Sequence, residues 1–122
     1  MERNAHDPSP EYAREWMYSG RSWPEQDWDL FLTNGKCDFV LLECAKDNTC
    51  PNQRFALHCL YFLVGDAVHT NQIDQRKTQI TKLLIEIGPN DSKELKTWRD
   101  ETRSLLNNET EFEYEYWCQH SL

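Results

Sequence analysis

The chain has 122 residues, with 13 lysines and arginines against 21 aspartates and glutamates and a formal net charge of −8. A single domain over residues 1–122, able to bury about two-thirds of its unfolded surface, is expected at that length. So negative a charge sets nucleic-acid phosphates and anionic membrane surfaces aside as direct partners and favours a cationic protein.

Proline and glycine fall mainly between periodic segments, so they punctuate the chain. In "SPEYAREWMY", Ser9 stands as N-cap and Pro10 at the first helical position, where its missing N–H costs nothing, and Gly20 supplies the stop. This predicts a short helix over residues 10–18. "SWPEQDWDLFLTNG" sets Ser22 and Glu25 in the S-x-x-E capping-box relation and ends at Asn34-Gly35, which predicts a second helix with Asp27 and Asp29 at its favourable dipole end. "KCDFVLLECAK" carries a broad apolar face of Phe39, Val40, Leu41 and Leu42 before Asp47-Asn48 breaks it, and is expected to form an antiparallel hairpin with the segment before it.

The stretch "CPNQRFALHCLYFLVGDAVH" starts at Pro51 and is apolar nearly all round, as a central helix covered from several sides would be. "IDQRKTQITKLLIEIG" keeps Ile73, Ile80, Leu83, Leu84 and Ile87 on one stripe and closes at Gly88-Pro89. "DSKELKTWRDETRSLL" places Asp91 and Glu94 in capping-box relation and aligns Leu95, Trp98, Thr102, Leu105 and Leu106. The closing "ETEFEYEYWC" alternates acids with larger residues, which is the pattern of a half-buried strand. A lone strand among helices has no ladder partner, so a short terminal helix or turn is expected, with its glutamates outward. The fold class that follows is all-α, about six helices in stacked antiparallel hairpins with a short C-terminal helix or turn.

No apolar run approaches the roughly 18 residues of a membrane span, and "MERNAHDPSP" lacks the apolar core of a secretory signal, so a cytoplasmic protein is expected. The five cysteines, Cys37, Cys44, Cys50, Cys59 and Cys118, form an odd set better suited to free thiols than to disulfides. Their gaps are unlike those of zinc knuckles, and the first, second and fourth lie on apolar stretches as small core residues, so no metal site is assigned. His58 and Cys59 are adjacent, which turns them about 100° apart on a helix and rules out a dyad between them. His69 follows the central helix, where a C-terminal dipole favours a histidine. No phosphate loop, HExxH pair or nucleophile elbow occurs. Catalytic residues and cofactors are therefore not expected.

What remains is surface. Trp28 and Trp98 fall on core stripes. Trp23, near Asp27 and Asp29, and Tyr114, Tyr116 and Trp117, set among Glu109, Glu111, Glu113 and Glu115, lie at helix edges. These ten residues are the candidate partner-binding set: the acids steer a cationic surface in, and the rings anchor it by burying area at small entropic cost. The competing view is a solvated acidic end that keeps the protein dispersed.

The segment "FVLLECAKDNTCPNQRFALHCLYFLVGD" resembles one HEAT-repeat hairpin, with Asp47 in the turn, Pro51 opening the second helix and Arg54 near its start. The resemblance implies an Asp47–Arg54 structural pair and about three stacked hairpins in the whole chain. The flanking segments do not repeat the motif, and "GRSWPEQDWDLF" is more aromatic than an ordinary repeat. The chain as a whole, with its closing "WRDETRSLLNNETEFEYEYWC", is similar to the small, acidic, helical immunity proteins of bacterial toxin–immunity systems such as contact-dependent growth inhibition. That resemblance implies a stoichiometric inhibitor of a basic toxin domain, for instance a nuclease. Two alternatives stay open: a HEAT-like adaptor holding a basic peptide or protein, and a small enzyme using His58 or His69 with a cysteine or carboxylate brought close by folding.

Overall fold

The computed structural model describes residues 4–119, and among these it is all-α. The elements in chain order are α1 (Pro10–Ser19), α2 (Trp28–Leu32), α3 (Asp38–Lys46), α4 (Gln53–His69), α5 (Ile73–Ile85), α6 (Lys93–Asn107), a 3-10 turn at Glu109–Glu111, and α7 (Tyr114–Cys118). They fall into two compact units, one running up to Leu60 and the other starting at Tyr61, so the boundary lies inside α4. No described helix is long and apolar enough to cross a membrane.

In the first unit, α1 starts and stops where its caps dictate. The Ser9 hydroxyl accepts from the Tyr12 amide at 3.1 Å, and Gly20 closes the helix at φ 71°, a left-handed conformation that costs glycine little. Tyr12, Ala13, Trp16 and Met17 are its buried face. Helix α1 packs along α3. The α1 contact is stitched at both ends: Arg14 pairs with Glu43 at 2.8 Å, and the Tyr18 hydroxyl donates to Asp47 at 2.7 Å. Asn52 adds a hydrogen bond to the Met17 carbonyl at 2.9 Å. On α3, Val40, Leu41, Leu42, Cys44 and Ala45 are buried, whereas Phe39 is turned outward and exposed.

The helix expected across residues 22–34 is realised only as the single turn of α2. The capping box does not form: Glu25 turns to His6 at 3.3 Å, and the Ser22 carbonyl, which would open the helical ladder, accepts from the Trp16 indole N–H at 3.0 Å. Trp23 meanwhile lies on Phe55, with ring centroids 5.2 Å apart. Tertiary partners of this kind outweigh a cap worth about 1 kcal/mol.

In the second unit, α4 ends in a left-handed stop. The Gln72 N–H reaches the Ala67 carbonyl at 2.7 Å and the Asn71 N–H reaches Val68 at 3.1 Å, with Asn71 at φ 59°. This is the paired bond pattern of a Schellman cap, with asparagine in the position glycine usually fills. Helix α5 buries the expected Ile73, Ile80, Leu83 and Leu84, and Arg76 reaches back to Asp66 of α4 at 3.8 Å. Helix α6 is capped one residue later than expected: Ser92 accepts from the Leu95 amide at 3.1 Å, while Asp91 accepts from Gly88 at 2.7 Å. Leu95, Trp98, Thr102 and Leu105 form its buried stripe.

The closing segment is helical, as expected. Asn108 caps the 3-10 turn, accepting from the Thr110 hydroxyl at 2.6 Å, and α7 follows after an extended step at Phe112. Gly65 is what lets α7 seat on α4. A Cβ there would stand 2.7 Å from Trp117 Cβ and 2.9 Å from Cys118 Sγ.

Candidate partner-binding site

The Asp47–Arg54 pair does not form. The Asp47 carboxylate is taken by the Tyr18 hydroxyl and by the amide and hydroxyl of Thr49, at 2.9 and 2.7 Å, and Arg54 is exposed. These hydrogen bonds hold the Asp47 carboxyl below the usual carboxylate value, and the same contact raises the Tyr18 phenol. Asp47 is thus the organiser of the α3–α4 turn, with α1 as its partner.

The two histidines are held by different neighbours. His58 Nε2 lies 3.0 Å from Asp29 Oδ2, with both side chains largely covered and the Phe55 ring stacked on the imidazole at 5.9 Å. This hydrogen bond lowers the Asp29 carboxyl below its ordinary value. Asp29, a candidate partner contact by sequence, is therefore engaged within its own unit. Cys59 beside it is wholly buried, which pushes its thiol well above the ordinary value and disfavours a thiolate. His69 is exposed and packs its ring against Tyr114 at 4.7 Å and Phe112 at 6.3 Å. All five cysteines are buried and unbridged, and burial raises the Cys37 and Cys44 thiols to about 12 and Cys118 to about 11.

Of the candidate rings, Trp23 is 51% exposed, Tyr114 45% and Tyr116 38%. Trp117 is a correction. It is 4% exposed, packed against Tyr61 at 5.3 Å and seated over Gly65, so it belongs to the core of the second unit and is not a free anchor. The missing side chain of Gly65 leaves room for the Trp117 Cβ and backbone and for Cys118 Sγ, and Tyr114 and Tyr116 face out. Asp27 is exposed at the start of α2, and Trp23, Asp27 and Asp29 all belong to the first unit.

The acids of the closing segment behave differently. Glu109, Glu111, Glu113 and Glu115 are all exposed, and among the described residues no lysine or arginine forms an ion pair with them. Two of them line a cavity of about 330 Å³ walled by Glu101, Ser104, Leu105, Glu111, Glu113, Tyr116 and Trp117. Glu111 accepts from the Ser104 hydroxyl at 3.0 Å. Glu101 accepts from two phenols: Tyr61 at 2.7 Å, and Tyr116 at 2.8 and 2.6 Å to its two oxygens. Burial, reinforced by these bonds, raises both phenols above the ordinary tyrosine value, so each stays a donor. Three carboxylates and two rings therefore converge on one hollow with no basic side chain in its wall.

Glu101, Ser104 and Tyr61 were not among the sequence candidates. Their signal was faint but present. Glu101 and Ser104 border the α6 stripe of Trp98, Thr102 and Leu105 at helical spacing, so an acid and a hydroxyl sit at the rim of the core face.

No protein-family model, curated protein or solved structure matches this chain.

Proposed function

We propose that this protein is a stoichiometric binding inhibitor, an immunity protein that neutralises a cationic toxin domain such as a nuclease through its acidic, tyrosine-bearing closing segment. The observation that supports it is the state of four glutamates: Glu109, Glu111, Glu113 and Glu115 are exposed and without an internal basic partner among the described residues, next to exposed Tyr114 and Tyr116. Acids left unpaired on one segment project a field that accelerates encounter with a basic surface, and phenol rings then hold it.

Protection is the direct test. Cells producing a candidate basic toxin domain are grown with and without this protein, and the purified pair is titrated. A one-to-one complex whose association slows several-fold between low and physiological ionic strength supports the proposal. So does a Glu111→Gln/Glu113→Gln/Glu115→Gln variant that binds more weakly with unchanged melting. Failure to protect, or an on-rate indifferent to salt, overturns it.

A further inference from the structure

Exposed acids alone would be a solvated face. The closing segment adds a concave space of about 330 Å³ whose wall combines three carboxylates with the side chains of Tyr116 and Trp117. Glu101 in its wall is only partly exposed, and its orientation is set by Tyr61 and Tyr116, whose rings stand nearly perpendicular at 86° and 5.7 Å. Tyr116 is in turn edge-on to Trp117, at 80° and 5.9 Å. The Trp117 backbone is pinned on Gly65, so the tyrosine wall is fixed by the core. An oriented carboxylate, two further carboxylates and an aromatic side chain in one wall are the complement of a flat, delocalised cation. A guanidinium offers five donors in a planar fork, stacks on aromatic faces and sheds water more readily than an ammonium.

Resting on the inhibitor proposal and deepening it, we infer that this cavity is the receptor for one arginine side chain of the cationic partner, read by Glu101, Glu111 and Glu113 against the Tyr116 ring. Tyr61 is a positioning residue: it does not line the cavity and acts by holding Glu101.

The test needs no partner protein. The full chain, labelled for amide NMR, is titrated with Nα-acetyl-arginine N-methylamide, with the uncharged citrulline analogue and with the lysine analogue. The expected result is a saturable shift centred on residues 101, 104, 111, 113 and 116 for the arginine compound, at least five-fold weaker with lysine and absent with citrulline. Glu101→Gln should weaken binding at least five-fold, and Tyr61→Phe should do so while leaving the amide spectrum of the core unchanged. Asp74→Asn, on an exposed position of α5, should leave it unchanged. Glu113→Gln, at an exposed position without a side-chain cap bond, repeats the test even if Glu101→Gln fails to fold. Shifts that do not saturate, that spread over every acid regardless of Glu101 and Glu113, or that are as strong with lysine or citrulline overturn the inference. Because the probe is a small molecule, its failure leaves the inhibitor proposal standing, while a protein that binds the probe yet gives no protection loses that proposal alone.

Discussion

Residues 20–32 and 108–118 are built from the same materials, tryptophans and other rings set among acids, yet they use them in opposite ways. In the first, Trp28 is fully buried, Trp23 lies half-exposed over Phe55, and Asp29 is engaged by His58. In the second, Trp117 is buried, Tyr114 and Tyr116 face outward, and the four glutamates have no internal cation among the described residues. The first segment engages Asp29 inside its own unit, and the second leaves its four glutamates facing solvent. The difference lies in what each meets: a histidine one side chain away in the first case, a glycine on α4 and a hollow in the second.

The largest effect expected is at the two tryptophans that the sequence could not tell apart. Trp117→Ala should cost about 3–5 kcal/mol, as loss of a buried aromatic does, whereas Trp23→Ala should cost about 1 kcal/mol or less. Urea denaturation followed by circular dichroism measures both, and equal losses would erase the contrast between the segments. Next is Gly65→Ala. Alanine gains about 1 kcal/mol of helix propensity, but its Cβ would overlap Trp117 Cβ and Cys118 Sγ and crowd the Trp117 backbone carbon at 3.1 Å, and neither Trp117 atom can move without the backbone. A net loss of about 1–3 kcal/mol is expected, with α7 displaced and Trp117 fluorescence red-shifted. A stabilised variant would mean that α7 does not need its seat on α4.

How legible these segments were depended on whether local chemistry or a distant partner decided them. The cap at Ser9, the break at Gly20 and the stripes of α5 and α6 are local, and they could be read directly from spacing. Residues 22–27 carried an equally good capping signal, and distant partners held its groups instead: His6 takes Glu25, and Trp16 takes the Ser22 carbonyl that would open the helical ladder. Phe39 shows the reverse error, an apolar residue in an apolar run that the helix turns to solvent. At the site, the acids and tyrosines of the closing segment were visible as an alternating pattern. Trp117 was not separable from Tyr116, because what distinguishes them lies far along the chain: Gly65 and Tyr61 beneath Trp117, and Glu101 at the Tyr116 hydroxyl. Glu101 was hidden for a similar reason, since its role follows from Tyr61, 40 residues away.

A smaller effect should follow from breaking the Asp29–His58 contact. Its bond lowers the Asp29 carboxyl below the ordinary value of 3.8, so the stabilisation is present above that pH and is lost as pH falls through the lower folded value. Asp29→Asn should remove about 1–2 kcal/mol at neutral pH and less under strongly acid conditions, where the native carboxyl is itself protonated. Denaturation midpoints of both proteins from pH 7 down to pH 2 measure the convergence. A gap that persists at the acid end would show that the contribution is packing around the imidazole rather than charge.

The smallest change in stability belongs to the triple exchange Glu111→Gln, Glu113→Gln and Glu115→Gln, and its smallness is what keeps the two segments distinct. All three acids are exposed, and the one hydrogen bond among them, from Ser104 to Glu111 at 3.0 Å, has an equivalent acceptor in the glutamine carbonyl. Neutralising them also relieves repulsion among like charges crowded into a few residues, together with Glu101 in the same cavity wall. Melting should therefore stay within about 0.5 kcal/mol of the parent and, at low salt, shift upward if at all. A loss of more than about 1 kcal/mol would mean these acids are tied into the fold as Asp29 is. The closing segment would then be a second self-satisfied region, with nothing left over for a partner.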